Sequence, residues 1–320
     1  MLKYLFRRLN LLLITAFILT VIAFMLQHWS SSSIDNRNYF MLYGDYMANI
    51  FQGHWGISSI DQRPLLNKGL IAFASTLELC FVACITSIIM AFPLGILAGL
   101  KRNGVIDYAI MSIALVGLAI PVFWLAIIMT MLPNSIGISL PVDGNISLVF
   151  EVPVISGFVL IDSLLAADQY QMRAFSDRVA HLVLPAVVLS FFLTTEIIRL
   201  TRHAITMVMR SNYIKAAYAK GLATKQIVLR HVLKNALPPI IHQIRLQLST
   251  IISFAMTIEI VFSSGGAGVW LLTSIQEGDY LALPTAVLII SSFILLSSII
   301  IDIVLMIISP TKRKALYADQ

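Results

Sequence analysis

Six stretches of about twenty residues carry few charges, and polar segments of unequal length separate them. The first run covers about residues 9–26 and follows Lys3, Arg7 and Arg8. It is long for a secretory leader. No small-x-small cleavage site comes after it, only Gln27, His28, Trp29 and a row of serines. It therefore reads as an uncleaved first helix, with Trp29 at the interface. Further runs cover about 74–100, 107–132, 180–199, 241–262 and 283–308. About 20 apolar residues, each rising 1.5 Å, cross the ~30 Å of bilayer hydrocarbon. The pattern predicts an all-α integral membrane protein with six transmembrane helices. Residues 1–73 form an N-terminal helix and loop, 74–308 the main transmembrane domain, and 309–320 a polar tail.

The separating segments differ in character. Residues 30–72 and 133–179 are long, mixed loops, and residues 263–282 form a short loop opening with Ser263-Ser264-Gly265-Gly266. Residues 200–240 are basic and amphipathic. Within them, residues 211–222 read as a short helix, with Ser211 suited to cap its start and Gly221 to end it in the left-handed conformation. Thr224 is placed to cap a second short helix that ends at Pro238-Pro239. Tyr213, Ala216, Ala217 and Lys220 recur at three- and four-residue spacing on the first of these helices. Small residues on such a face let a partner backbone approach closely.

Composition agrees with lipid as the main solvent: 58% of residues are hydrophobic and 12% charged, where soluble domains carry about 25%. The net charge of +6 would suit nucleic acid, but its distribution argues for topology instead. With both termini in the cytoplasm, the cytoplasmic segments hold 17 of the 22 Lys and Arg residues, as the positive-inside rule demands. No nucleic-acid partner is expected. Cys80 and Cys84 lie four apart in an apolar run, a spacing unsuited to an ordinary disulfide. The six His are scattered without ligand spacing. No metal site, cofactor or catalytic group is expected, and no G-x-x-x-x-G-K-[ST] phosphate loop occurs. Any ATP-driven action must draw its energy from other chains.

Several segments resemble one family. Ala216-Ala217, then Gly221, then His231 and Asn235-Ala236-Leu237-Pro238 are similar to the cytoplasmic EAA loop of ABC importer permeases, with Lys215 where that loop has a glutamate. Glu259-Ile260-Val261-Phe262-Ser263 and the glycines after it resemble an element of dipeptide and oligopeptide permeases, with Gly265 at its proline position. Further likenesses are Thr76-Leu77-Glu78-Leu79, Ile120-Pro121-Val122-Phe123-Trp124, Leu184-Pro185 and Glu196-Ile197-Ile198-Arg199. The resemblance covers nearly the whole chain, and leans to the branch linked with antimicrobial peptides and putrescine.

It implies a type I ABC importer permease fold in the bacterial inner membrane, with residues 211–222 as the coupling helix. The implied partners are a second homologous permease in a heterodimer, two cytoplasmic ATPase subunits and a periplasmic solute-binding protein. Tyr213, Ala216, Ala217, Lys220 and Gly221 become the candidate ATPase-coupling residues.

Acids within spanning helices are costly and often functional, so Glu78, Glu259 and Asp302 are candidates for a translocation path. The other reading of each is a capping or interhelical contact. Gly95 and Gly99 form a G-x-x-x-G pair suited to close helix packing, and Pro93 and Pro121 are expected to bend their helices. A self-sufficient secondary transporter or channel for small cations is the alternative. It predicts inverted repeats, which the sequence does not display.

Overall fold

The computed structural model describes residues 2–30, 38–166 and 171–308. The expected tail at 309–320 and the side chain of Trp29 lie outside the described residues. Among those described, the chain is helical and forms no strand. The helices are α1 (Leu2–Ser30), α2 (Tyr39–Phe51), α3 (Leu65–Leu100), α4 (Val105–Ala119), α5 (Val122–Ile136), α6 (Val159–Leu165), α7 (Gln171–Met209), α8 (Asn212–Ala219) and α9 (Thr224–Ile227). A π-helical turn, Val228–Val232, leads into α10 (Leu233–Leu246), followed by α11 (Leu248–Val261), α12 (Ala267–Gln276) and α13 (Ala282–Ile308).

Three helices, α3, α7 and α13, are long and apolar enough to cross a membrane. Two bent pairs, α4 with α5 and α9–α10 with α11, raise the number to five if each pair is one span. Helix α1 adds a shorter apolar stretch, Leu13–His28. The described residues therefore do not establish the expected count of six.

The run expected as one helix over 107–132 is two, meeting at 94°. Ile120 is extended (φ −82°, ψ 121°) and Pro121 precedes the first turn of α5. The ring of a proline disfavours the α conformation in the residue before it, so the first helix stops there. Pro93, by contrast, lies inside an unbroken α3. Pro238 and Pro239 also lie inside a helix, α10, and not at its end. The bend comes later, at Gln247, and measures 54°. The two prolines remove the α-helical donors of Lys234 and Asn235, directly after the wider π turn. The loops hold more structure than their composition suggests: α2, α6 and α12 form within them, and α3 begins nine residues before the expected 74.

The spanning helices differ in how far the chain encloses them. The apolar core of α7 is 72% buried, that of α3 33% and that of α13 17%. Phe81, Ile89, Leu296 and Ile300 are exposed, a cost in water but the preferred state in lipid.

The chain divides into two compact units. The first comprises residues 1–78, 140–182 and 255–296. Buried polar ties organise it. Arg178, 2% exposed, donates from Nε to Glu78 at 3.1 Å and from Nη1 to the backbone O and Oδ1 of Asn145 at 2.8 and 2.9 Å. Glu78 also accepts from the backbone N–H groups of Val159 and Leu160, the first two residues of α6. Asp279 accepts from the hydroxyls of Ser58 and Ser59, 220 residues away in the chain. Asp162 accepts four bonds from residues 155–157. Burial pushes its pKa up, but those bonds outweigh burial and hold the carboxyl below its ordinary value.

The second unit comprises residues 79–139, 183–254 and 297–320. Here the G-x-x-x-G pair packs as expected. A Cβ on Gly95 would stand 2.6 Å from Thr201 Cβ, and one on Gly99 2.7 Å from Ile205 Cβ. Only glycine lets α3 and α7 approach so closely.

Replacing Arg178 by Ala strands the Glu78 carboxylate, and breaking a buried pair in this way costs about 3–5 kcal/mol. We expect a clear fall in the thermal midpoint of the detergent-solubilised protein, largely recovered in the double variant Arg178→Met, Glu78→Leu. An unchanged midpoint in Arg178→Ala would show that the pair contributes nothing.

Candidate coupling surface

Helix α8 starts two residues after α7 ends. Ser211 occupies its N-cap position in extended conformation, but its side chain makes no capping bond. The hydroxyl turns back and donates to Val208 O. Thr224 likewise is not a cap: Ala223 stands at that position and Thr224 is the first helical residue of α9.

The end of α8 is defined by hydrogen bonds. Gly221 has φ +76°. Its N–H bonds to Tyr218 O at 2.9 Å, and the N–H of Leu222 reaches Ala217 O at 3.3 Å. This is a Schellman motif, which turns the chain sharply and satisfies two carbonyls at the helix end. Nothing lies within 4 Å of a Cβ built on Gly221, so its backbone angle alone calls for glycine.

One side of α8 is sealed. Ile214 and Ala217 are buried in an apolar cluster with Ala204 and Ile205 of α7, Ile227, Val232, and Ala236 and Ile240 of α10. Tyr213, Ala216 and Lys220 are exposed. The expected four-residue face is thus divided. At 3.6 residues per turn, Ala217 lies about 40° round from Tyr213 toward Ile214, which carries it into the core. The outward face consists of Tyr213, Ala216 and Lys220. Asn235 Nδ2 donates to Tyr213 Oη at 3.1 Å and to His231 O at 2.8 Å, fixing the tyrosine from α10.

The charge around this face is uniform. No Asp or Glu occurs between Glu196 and Glu259. Arg210, Lys215, Lys220, Lys225, Arg230 and Lys234 are all exposed, and among the described residues no carboxylate pairs with them. The segment thus presents a rigid, one-sided helix with a cationic rim.

The sequence profile of the family described as "binding-protein-dependent transport system inner membrane component" matches residues 91–314. The putrescine export system permease protein SapB of Escherichia coli K12 is 36% identical over 319 residues, 99% of each chain. The chain belongs to the family of binding-protein-dependent transport system inner membrane components. This permease is also 35% identical to the di/tripeptide transport system permease protein DppB of Pseudomonas aeruginosa, over 85% of its own length and 80% of that relative. A chain of the methionine ABC transporter MetNI, in inward-facing form, shares its fold at a TM-score of 0.53 and 19% identity, covering 77% of the permease and 96% of that chain. The permease is a multi-pass component of an ABC transporter.

The three candidate path acids, Glu78, Glu259 and Asp302, all have bonds within the chain. Glu78 is held by Arg178 and α6 as described. Glu259, 1% exposed, accepts from Gly268 N–H at 2.9 Å, while Thr76 Oγ1 accepts from the neighbouring Ala267 N–H. Asp302, 6% exposed, accepts from Arg245 Nη1 at 3.1 Å. Each carboxylate is buried and bonded within the chain.

Asp107 did not stand out in the sequence, yet it is the centre of a buried tie. Asp107, 1% exposed, receives both Nε and Nη2 of Arg202, at 2.9 and 2.7 Å, and the N–H of Asn103 at 2.9 Å. It fastens the turn between α3 and α4 to α7. Arg199 and Arg245 are likewise committed, to Glu196 and Asp302. The paired arginines and the six exposed cations are alike in sequence; among the described residues, the buried acid partners separate them.

Ile214→Ala removes the largest anchor beneath α8, a change that costs about 2–4 kcal/mol in a packed site. Trypsin should then cut the detergent-solubilised permease faster at Lys215 and Lys220. Cleavage at the wild-type rate would show that α8 does not depend on this anchor.

Proposed function

We propose that the permease moves short peptides or small organic cations such as putrescine across the bacterial inner membrane, and that α8 with its glycine turn receives the motion of ATPase subunits. The observation that carries this reading is the division of α8: Ile214 and Ala217 bind it to the core, while Tyr213, Ala216 and Lys220 face outward beside unpaired cations. A helix so held transmits force instead of tilting. Its rim calls for a partner surface rich in carboxylates. The chain has no phosphate loop of its own, so two cytoplasmic ATPases supply the hydrolysis. A second homologous permease completes a heterodimer, and a periplasmic solute-binding protein serves it from outside. The substrate classes are those in the names of its relatives.

The bias of Lys and Arg supports an arrangement with both termini cytoplasmic. With α1 as a span, the two bent pairs and the three long helices bring the count to six. Nucleotide-driven closure of the ATPases then biases two states of access, inward and outward.

Gly221→Val places a branched side chain at positive φ. The variant should insert normally and bind its ATPases, yet lose the link between hydrolysis and transport in proteoliposomes. Transport per ATP at the wild-type ratio would refute the coupling role. A cysteine placed at Lys225 should resist membrane-impermeant maleimide added outside intact cells; labelling from outside would overturn the orientation.

A further inference from the structure

Helix α2 lies in a segment whose composition reads as an extramembrane loop, yet it packs beside two apolar helices. Its 13 residues hold one charge, Asp45. Its rings run back along α1: Tyr39 stands against His28, and Tyr43 against Phe24 and Phe17. The two helices are therefore antiparallel neighbours within the apolar stretch Leu13–His28. Ala23 of α1, Tyr46 of α2 and Leu288 of α13 close into one buried cluster. Leu288 lies six residues into α13, about 9 Å along a helix that is long and apolar enough to cross a membrane. The middle of α2 thus sits at the depth of two apolar helices and not beyond their ends.

A helix is stable at that depth when its backbone ends are satisfied. Those of α2 are. Asn38 Oδ1 accepts from Phe40 N–H at the start. At the far end Gly53, with φ +81°, forms a Schellman turn. Its N–H bonds to Ile50 O at 3.1 Å, and His54 N–H bonds to Asn49 O at 2.8 Å.

The residues that face away from α1 fall into two stripes. At 100° per residue, Phe40, Met41, Gly44, Ala48 and Phe51 lie within about 100° of one another, and Asp45, Asn49 and Gln52 share the next ~60°. All eight are exposed. Phe40 is 85% exposed and Phe51 83%. On α1, the exposed Ile14, Ile18, Ile22 and Met25 form a stripe on one flank of the ring contacts. Because the helices are antiparallel, this stripe and the apolar stripe of α2 fall on the same side of the pair. Ala23, Tyr46 and Leu288 lie on the other. The joint surface carries no charge and is turned away from α13.

We propose that α2 is a lipid-embedded helix, with the stripe from Phe40 to Phe51 in contact with acyl chains in the leaflet beside the C-terminal half of α1. Water would meet two exposed phenyl rings there, and a protein partner would find no hydrogen-bonding side chain on the stripe. Acyl chains suit it, because it continues the apolar flank of α1 at the same depth. Asp45, Asn49 and Gln52 then face the polar side, as in helices that lie at a membrane boundary. This reading requires neither ATPases nor transport, and it holds whichever side of the membrane the termini occupy.

The test uses the full-length chain, with the subunits that co-purify with it, in liposomes of phosphatidylethanolamine and phosphatidylglycerol. The parent carries Cys80→Ala and Cys84→Ala, which remove the chain's 2 Cys. Single nitroxide labels are placed through Phe40→Cys, Phe51→Cys and Gln52→Cys. Power saturation then compares collision with oxygen, which concentrates in hydrocarbon, and with a water-soluble nickel chelate. At positions 40 and 51 collision with oxygen should exceed that with nickel several-fold. The order should reverse at position 52, one residue further on. Nickel collision at 40 and 51 equal to that at 52 would place α2 in water and overturn the proposal. Shielding of both labels from both reagents would show that protein covers the stripe and would overturn it as well.

Phe51→Trp keeps an aromatic ring and covers the case in which the cysteine variants fail to fold. Bromine atoms on the lipid acyl chains should quench most of the emission added to that of the 4 native Trp, and aqueous acrylamide little of it. The reverse order would overturn the proposal.

Discussion

Hydrocarbon offers no water to a buried charge, so each carboxylate carried into a spanning helix must find its donors inside the protein. This constraint runs through both units. Glu78 meets Arg178 and the start of α6; Asp107 meets Arg202; Asp302 meets Arg245. Glu259 meets the first turn of α12. In each case the partner comes from a distant part of the chain or from a helix N-terminus. The same bonds that neutralise the acids therefore also fix which helices lie together. Loops that look irregular in sequence gain their order in this way: α6 sits on Glu78, and residues 155–157 wrap Asp162.

The segment around α8 obeys the opposite rule. Among the described residues its exposed cations pair with no acid, and its small helix is held by apolar contacts and by a glycine turn. Packing gives α8 its position and leaves the charge exposed. Arg199, Arg202 and Arg245 bracket the segment and are all paired, so they hold the frame while the free residues between them form the surface.

Much of this was legible in sequence. The apolar runs marked the spanning helices, Gly221 marked the end of α8, and Gly95 with Gly99 marked a close helix contact, because each depends on local residue type alone. The rest depended on partners far along the chain. Nothing near Asp107 announces Arg202, 95 residues away. Ala217 and Tyr213 share a helical stripe, and only the placement of Ile214 decides which of them is buried. The prolines show how context overrides a local rule. Pro121 stops a helix by keeping Ile120 out of the α conformation, whereas Pro238 and Pro239 are carried within α10 behind a π turn. Helices α2 and α12 escaped notice because they are short and lie among polar residues, where no spanning-length run flags them.

The interlock of Gly95 and Gly99 with Thr201 and Ile205 has a mechanical consequence. Two helices meshed at consecutive turns behave like a toothed joint. Sliding one along the other by a single residue would drive side chains into backbone, so that mode of shear is closed to them. Since two residues separate α8 from the end of α7, a load applied there meets a joint that resists slippage.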